Sequence, residues 1–369
     1  MRTYIKPLKD ASVYGQSTRL NTGLDEILDV GKSDNDTVGL YPIRSLLEFD
    51  ISEISSSIAS GQISGSIKVF LNLYAAYAAD LSYPHPLDVC VVSQSWTEGS
   101  GFIAEQYENP EDGASWDFRT GTDNRLLWAP LTGSIIVSSS YTASFNALGG
   151  PTYYDGISQS VLLVENDIQN VRVDVTNIVG TWISGLIPND GFVLKMPERI
   201  ETNYHSKARM SFFSRQTHTV YHPKLEICWN SDVQFATGSL SPIPMTEFKL
   251  ALKNQLAQYV YPYASKLRIA GRELYPEKNF YDKVRYKSVK YLPSSSYYSI
   301  VDTMSNDIVI PFDEYSQISC DEDGSYFEFP TSGLARGRYY KFLIKIVNDE
   351  GVTVTEIGTP FKVEKYGDE

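Results

Sequence analysis

The sequence predicts an all-β protein built as two successive β-sandwiches, and three observations predict it. Short runs alternate apolar and polar residues with period two. Ser66-Ile-Lys-Val-Phe-Leu-Asn-Leu-Tyr74 does so most cleanly, setting Ile67, Val69, Leu71 and Leu73 on one face. Turn-forming clusters such as Asn109-Pro-Glu-Asp-Gly113 and Gly149-Gly-Pro-Thr152 separate the runs. Tyr alone counts 26, and Ser, Thr, Val and Ile dilute the strong helix formers.

Residues 1–232 read as one unit of jelly-roll type. Its strands are expected at Tyr4-Ile-Lys6, Asp10–Gly15, Glu26–Gly31, Arg44–Asp50, Ser66–Tyr74, Val89–Val92 and Val161–Val164. Arg44–Asp50 alternates as a half-buried strand should. Asp174–Trp182 reads as a short helical turn carrying a Trp, followed by a Gly-led buried strand in Asn189–Lys195. A Ser-Arg strand around Phe212–Arg215 and a Pro-Lys-Leu strand at Pro223–Ile227 close the set.

Ser239-Leu-Ser-Pro-Ile-Pro-Met245 marks a boundary, so 233–282 reads as a linker with a basic, Tyr-rich docking segment. Residues 249–290 hold ten Lys and Arg against Glu273, Glu277 and Asp282, a local charge of +7 in a chain of net −13. Lys266, Arg268, Arg272, Lys283, Arg285 and Lys287 are the candidate docking cations, interleaved with Tyr259, Tyr261, Tyr263, Tyr275, Tyr281 and Tyr286. Basic residues among aromatics suit either single-stranded nucleic acid or an acidic protein face. The strongly acidic chain argues against general nucleic-acid binding. From 283 to 369 short strands return at Tyr297–Val301, Asp307–Ile310, Ser325–Phe329, Tyr339–Val347 and Phe361–Glu364, with a hairpin turn at Asn348-Asp-Glu-Gly351. This pattern is that of an immunoglobulin or fibronectin III-like sandwich.

Chemistry is sparse. Three cysteines, Cys90, Cys228 and Cys320, lie too far apart for a zinc motif and are odd in number, so buried free thiols are expected. His218 and His222 would sit about 13 Å apart on one strand face, too wide for one metal; His85 and His205 stand alone. Glu105 with Glu108, and Asp321 with Asp323, are carboxylate pairs in turn-like stretches. A structural calcium would draw on Asp112, Asp117 and Asp174. No apolar run approaches the ~20 residues of a membrane span, and Met1–Pro7 carries no signal-peptide core. Trp96, Trp116 and Trp128 lie at loop edges, where aromatic rings either stack on sugars or plug the ends of a sandwich.

Several of these pieces occur in one order: Asp10–Tyr14, Leu46–Ile51, Trp96-Thr-Glu-Gly99, Asp112–Trp116, Asp174-Val-Thr176, Trp182, Asn189–Lys195, Ser214-Arg215 and Pro223-Lys-Leu225. In that order they resemble the DNRLRE-type domain, a jelly roll related to carbohydrate-binding modules and found in bacterial surface and phage proteins. The resemblance covers about residues 1–230. The chain departs from it at Gln216, where an acidic residue is common, and in the inserted Thr217–His222. With no catalytic constellation in the sequence, the expectation is a binding or building protein and not an enzyme. The expected setting is a tailed-phage virion (neck, tail, baseplate or capsid decoration), reached from the host cytoplasm. The expected partners are other virion proteins in a symmetric homo-oligomeric assembly, without nucleic acid, membrane or cofactor. The alternative is a protein that recognises host surface glycans through Trp96, Trp116 and Trp128.

Overall fold

The computed structural model describes residues 1–32, 41–79, 85–105, 110–121, 125–128, 135–138, 141–144, 149–163, 170–203, 208–229, 233–243, 248–275, 289–348 and 351–365. The fold is all-β: strands in several sheets and three short helices. The chain divides into two compact units. The first comprises Ile5–Ser60 and Lys68–Ile227; the second comprises Met1–Tyr4, Gly61–Ile67 and Cys228–Glu369.

A ten-stranded sheet organises the first unit. Its order is Ala75–Ala79, Arg209–Phe213, Ile27–Lys32, Pro42–Phe49, Phe192–Lys195, His85–Val92, Tyr153–Leu163, Tyr141–Ser144 and Ile135–Ser138, with Pro7–Tyr14 also paired to Pro42–Phe49. At the centre Leu46 stands opposite Ala11 on one side and Val193 on the other. Arg44–Asp50 was expected to form a half-buried strand; the strand runs Pro42–Phe49, and seven of its eight residues are buried. The reason is that both faces of the sheet are covered. Ala11, Val13, Leu46, Cys90, Val92 and Val193 pack under Trp96, Trp116 and Trp128. On the opposite face Phe49 meets Phe192, which packs against Trp182 with ring centroids 4.8 Å apart.

Trp182 rides on helix α2 (Thr176–Ile183), the helical turn foreseen from Asp174–Trp182. Asp174 accepts from the Thr176 backbone N–H at 3.0 Å, an Asx turn immediately ahead of that helix. Helix α1 (Ser52–Ala59) was not foreseen; its Ser-rich run buries only Ile54, which leaves little periodicity to read. The four residues of Phe192–Lys195 are all buried, as its Gly-led apolar run implies.

The core of the second unit lies between two sheets, beside a short parallel pair of Ser241–Pro242 with Lys290–Tyr291. One has the order Phe248–Lys253, Ala264–Glu273, Gly324–Pro330, Ser319–Asp321; the other runs Gln258–Tyr261, Gly351–Lys365, Tyr339–Asn348, Ser296–Asp302, Ile308–Ile310. Between them lie Leu267, Ile269, Phe327 and Phe329 from the first sheet and Tyr298, Ile300, Phe342 and Phe361 from the second. Phe342 stacks on Phe361 at 4.5 Å and meets Phe327 and Phe329 edge-on at 5.5 and 5.1 Å. Such offset and edge contacts add to the area each ring buries.

Two expected boundaries change. The stretch read as linker, 233–282, carries the strands Phe248–Lys253, Gln258–Tyr261 and Ala264–Glu273, which belong to both sheets of the second unit. Lys249, Lys253, Lys266, Arg268 and Arg272 mark outward positions of a sheet, and Leu250, Leu267 and Ile269 between them face the core. Nor does the first unit run from 1 to 232: Met1–Tyr4 and Gly61–Ile67 group with the second. Arg2 pairs with Asp313 at 2.5 Å and the Thr3 and Ser332 hydroxyls lie 3.3 Å apart.

Phe342→Ala is expected to destabilise the protein by about 3–5 kcal/mol, because the surrounding rings cannot collapse into the void. Urea unfolding followed by fluorescence measures it; a loss under about 1 kcal/mol would show that this aromatic cluster is not the organising core.

Candidate functional site

Of the pieces quoted in the sequence, Asp10, Trp96–Gly99, Asp112–Trp116 and Ser214-Arg215 are linked by hydrogen bonds around Asn21. Asn21, fully buried, donates through its amide to the carbonyls of Glu98 (2.6 Å) and Ala114 (2.9 Å), and accepts from the Gly101 N–H at 2.8 Å. Three loops thus close on one side chain. The approach is so tight that a Cβ on Gly113 would stand 2.3 Å from the Glu98 carbonyl oxygen and 2.5 Å from Asn21. Glu98 accepts from the Asp10 N–H at 2.9 Å and from Arg215, and the Arg215 N–H donates to the Asp10 carboxylate at 2.6 Å. Lys9 reaches the Trp96 carbonyl and pairs with Glu48 at 2.8 Å. Burial pushes the Asp10 carboxyl up to about 7, despite the Arg215 N–H that favours its charge; burial also raises Glu98. These contacts tie strand to loop, loop to loop and, at Lys9–Glu48, strand to strand.

Further buried polar contacts join separate elements. Arg44, with no exposed surface, makes a bidentate pair to Glu201 at 3.0 and 2.8 Å, donates to the Gly149 carbonyl at 2.9 Å, and lies 4.9 Å from the Trp116 ring. Asp29 gathers Tyr14 (2.7 Å), Arg209 and Ser211 (both 2.5 Å).

The candidate sugar platform is absent from the surface. Trp96, Trp116 and Trp128 are 3, 5 and 5 % exposed. The Trp96 and Trp128 indole N–H groups are spent on the carbonyls of Asp190 and Ser115, both at 2.9 Å. A ring stacks on a sugar only through an open face, and these faces cover Leu46 and Val193. The three rings are a plug.

The candidate docking cations fare differently. Lys283, Arg285 and Lys287 lie outside the described residues, as do Tyr281 and Tyr286. Lys266, Arg268 and Arg272 stand at alternate positions of Ala264–Glu273, so all three face away from Leu267 and Ile269. The adjoining strand Phe248–Lys253 adds Lys249 and Lys253 to that face, with Leu250 turned inward. The register puts Lys249 directly opposite Arg272, Ala251 opposite Ala270, and Lys253 opposite Arg268. Five cations therefore share the outer side of two neighbouring strands. Arg268 forks onto Asp321 at 2.6 and 2.8 Å, and Lys266 lies 3.8 Å from the same carboxylate and 3.5 Å from the Tyr326 ring centroid. Among the described residues Lys249, Lys253 and Arg272 have no carboxylate within ion-pair distance. Like charges directly opposite each other on a ladder weaken it.

Tyr259 is buried against Phe329 and Phe361 and presents nothing to a ligand, whereas Tyr263 and Tyr275 are exposed. The aromatic half of the basic-aromatic pattern is thus partly core.

The remaining candidates are scattered. Hydrogen bonds from Arg268 hold Asp321 below the usual carboxylate range, so it is not poised as an acid; Asp323 lies 3.4 Å from Arg268. Glu108 and His205 lie outside the described residues. His218, on the surface, lies 3.5 Å from Glu26, while burial and Lys224 push His222 down to about 3. Asp112 is bonded by Ser100 and Asp174 by Thr176 and Lys68; the Asp117 N–H donates to Thr18. Among the described residues no three His, Cys, Asp or Glu side chains gather into a group that could hold a metal ion. Cys90, Cys228 and Cys320 are free and buried, as expected, and burial pushes the Cys90 thiol up to about 12. A polar recess of about 210 Å³ in the second unit, bordered by Gln234, Tyr315, Gln317 and Tyr326, is smaller than most ligand pockets.

No family model matches the chain, and no curated protein sequence matches it. Lys249 and Lys253 were missed as site residues, although Phe248-Lys-Leu-Ala-Leu-Lys253 carries its charges at a strand's outward spacing. Arg44 and Glu201, 157 residues apart, offered no signal.

Two outcomes follow from this geometry. Folded Asp10 keeps its proton to about pH 7, and the unfolded chain releases it near the ordinary value of 3.8. Stability from this group is therefore present below about pH 4 and lost as pH rises to 7. Asp10→Asn removes that loss, so its stability relative to wild type should be more favourable at pH 8 than at pH 4 in denaturant titrations; a pH-independent difference would contradict the assignment. Lys249→Glu places opposite charges across from Arg272 and should stabilise the fold by about 0.2–1 kcal/mol at low salt, with the gain shrinking at 1 M salt. Destabilisation by thermal melt would mean that Lys249 has a fold-internal partner.

Proposed function

We propose that this chain is a non-enzymatic structural component of a tailed-phage virion, seated in the neck, tail, baseplate or capsid decoration. In this reading it docks onto other virion proteins and itself assembles as a symmetric homo-oligomer. The observation that carries the reading is the cationic face of Phe248–Lys253 and Ala264–Glu273: like charges oppose one another there, on the surface of a chain whose net charge is −13. A surface that weakens its own ladder is relieved when carboxylates of a neighbour cover it. The jelly-roll assignment of the first unit rests on the sequence resemblance over about residues 1–230, and the immunoglobulin-like assignment of the second on its succession of short alternating strands; the virion setting joins these to the absence of a signal-peptide core at Met1–Pro7 and of a catalytic constellation in the sequence. The polar groups of the first unit support a building role, because Asn21, Glu98, Arg215, Arg44 and Glu201 all bond across elements. The glycan-recognition alternative would need rings that are open to solvent, and Trp96, Trp116 and Trp128 are not.

Particles released from the source culture and banded on a density gradient test the proposal. Mass spectrometry should find the full-length chain in the particle band at a fixed ratio to the shell proteins, and Lys249→Glu/Arg272→Glu should remain folded yet leave that band. Wild-type chain recovered only as free protein would refute the virion assignment.

A further inference from the structure

Phe248–Lys253 is the terminal strand of its sheet, and among the described residues it pairs with one neighbour, Ala264–Glu273. An edge strand carries a row of main-chain N–H and C=O groups along its open side, ready to pair with a further strand. On this edge the outward side chains are Lys249, Ala251 and Lys253, all exposed. The two ammonium groups rise from positions about 13 Å apart along the strand, and the small Ala251 lies between them, facing Ala270. Arg272 and Arg268 repeat the same pattern one strand further in. The result is a two-by-two array of basic side chains around a shallow floor of two alanines, with Arg268 held by Asp321 and Lys249, Lys253 and Arg272 without a carboxylate partner among the described residues.

The array has a definite complement. A strand laid along the edge would place every second residue on the cationic side. Carboxylates four residues apart would then meet Lys249 and Lys253, and a small residue midway would sit over Ala251. The main-chain bonds would supply affinity independent of sequence, and the carboxylates would supply register. Lys side chains on an edge also discourage pairing with neutral or apolar strands, so the same residues that invite an acidic strand turn away others.

We infer that Phe248–Lys253 accepts an acidic β-strand from a neighbouring protein, adding it to the sheet with carboxylates at positions i and i+4 facing Lys249 and Lys253. This rests on the docking reading above and deepens it by stating the partner's chemistry and mode of contact. The charge complementarity singles out an anionic partner, and the open main-chain edge singles out an extended peptide over a nucleic-acid duplex, whose phosphates offer no ladder to pair with.

Fluorescence polarisation on the full chain tests it with four labelled probes. The first is a peptide alternating threonine with glutamate, alanine and glutamate. The second has glutamine for glutamate. The third is the acidic peptide N-methylated at alternate amides along one edge. The fourth is a short DNA duplex. The acidic peptide should bind, more weakly at higher salt. Glutamine substitution and N-methylation should each weaken it at least about tenfold, as should Lys249→Glu/Lys253→Glu. Lys249→Gln/Lys253→Gln should give an intermediate loss, and melting curves confirm that both variants fold. Equal binding of the N-methylated peptide would overturn strand addition and leave charge-driven docking standing. Equal binding of the glutamine peptide would overturn the charge requirement. Duplex DNA that binds more tightly and displaces the acidic peptide would overturn the peptide assignment, as would no binding of the acidic probe. Particle incorporation is scored separately, so failure here and failure of the virion reading remain distinct.

Discussion

The period-two alternation of a strand with one face committed to a core is the constraint on which the second unit depends. Leu250, Leu267 and Ile269 belong among Phe327, Phe329 and Phe342, and each buried side chain of this size contributes about 1.5–3 kcal/mol. Slipping either strand by one residue would drive the cations into that core. The inward residues therefore leave the outward ones no choice of position. Lys249 must face Arg272 and Lys253 must face Arg268. A cationic surface of fixed spacing follows from the packing beneath it, and the small energetic cost of opposed like charges is outweighed by the aromatic core.

The first unit handles charge in the opposite way. Arg44 and Glu201 are both fully buried, and each hydrogen-bonding edge of the guanidinium is met: two by carboxylate oxygens and one by the Gly149 carbonyl. Pairs of this kind add little net stability over apolar packing, yet losing one member leaves a buried charge that costs several kcal/mol. Their effect is to specify which segments come together. Asn21 does the same without charge by closing the loops that carry Glu98, Gly101 and Ala114. Arg44, Glu201 and Asn21 are thus committed to architecture, while Lys249, Lys253 and Arg272 of the second unit's sheet stand outward.

The strands were legible because their information is local. Ser66–Tyr74 and Tyr339–Val347 alternate, and the structure puts strands at Ile67–Leu73 and Tyr339–Asn348. The turn at Asn348–Gly351 was legible for the same reason, since those two residues pair across the hairpin. What failed was reasoning about burial from one strand at a time. Pro42–Phe49 alternates in sequence but is covered on both sides, because tryptophans from distant loops roof one face. The same distance effect hid the plug role of Trp96, Trp116 and Trp128, which depends on where three loops end and not on their own residues. Phe248–Glu273 falls within the stretch 233–282 that reads as a linker, although Leu250, Leu267 and Ile269 are the apolar half of the same alternation as its charges. The cationic residues were legible as a group; their register across two strands was not, since pairing partners 15 to 25 residues apart are set by the core.

Zero-length carbodiimide cross-linking of intact particles tests the central claim most directly. If carboxylates of a neighbour cover the face, cross-links will join Lys249 or Lys253 to aspartate or glutamate on a different polypeptide, and both lysines will be slow to acetylate in particles and fast in the free chain. Equal acetylation rates in the two states, with no cross-link from either lysine, would contradict the account.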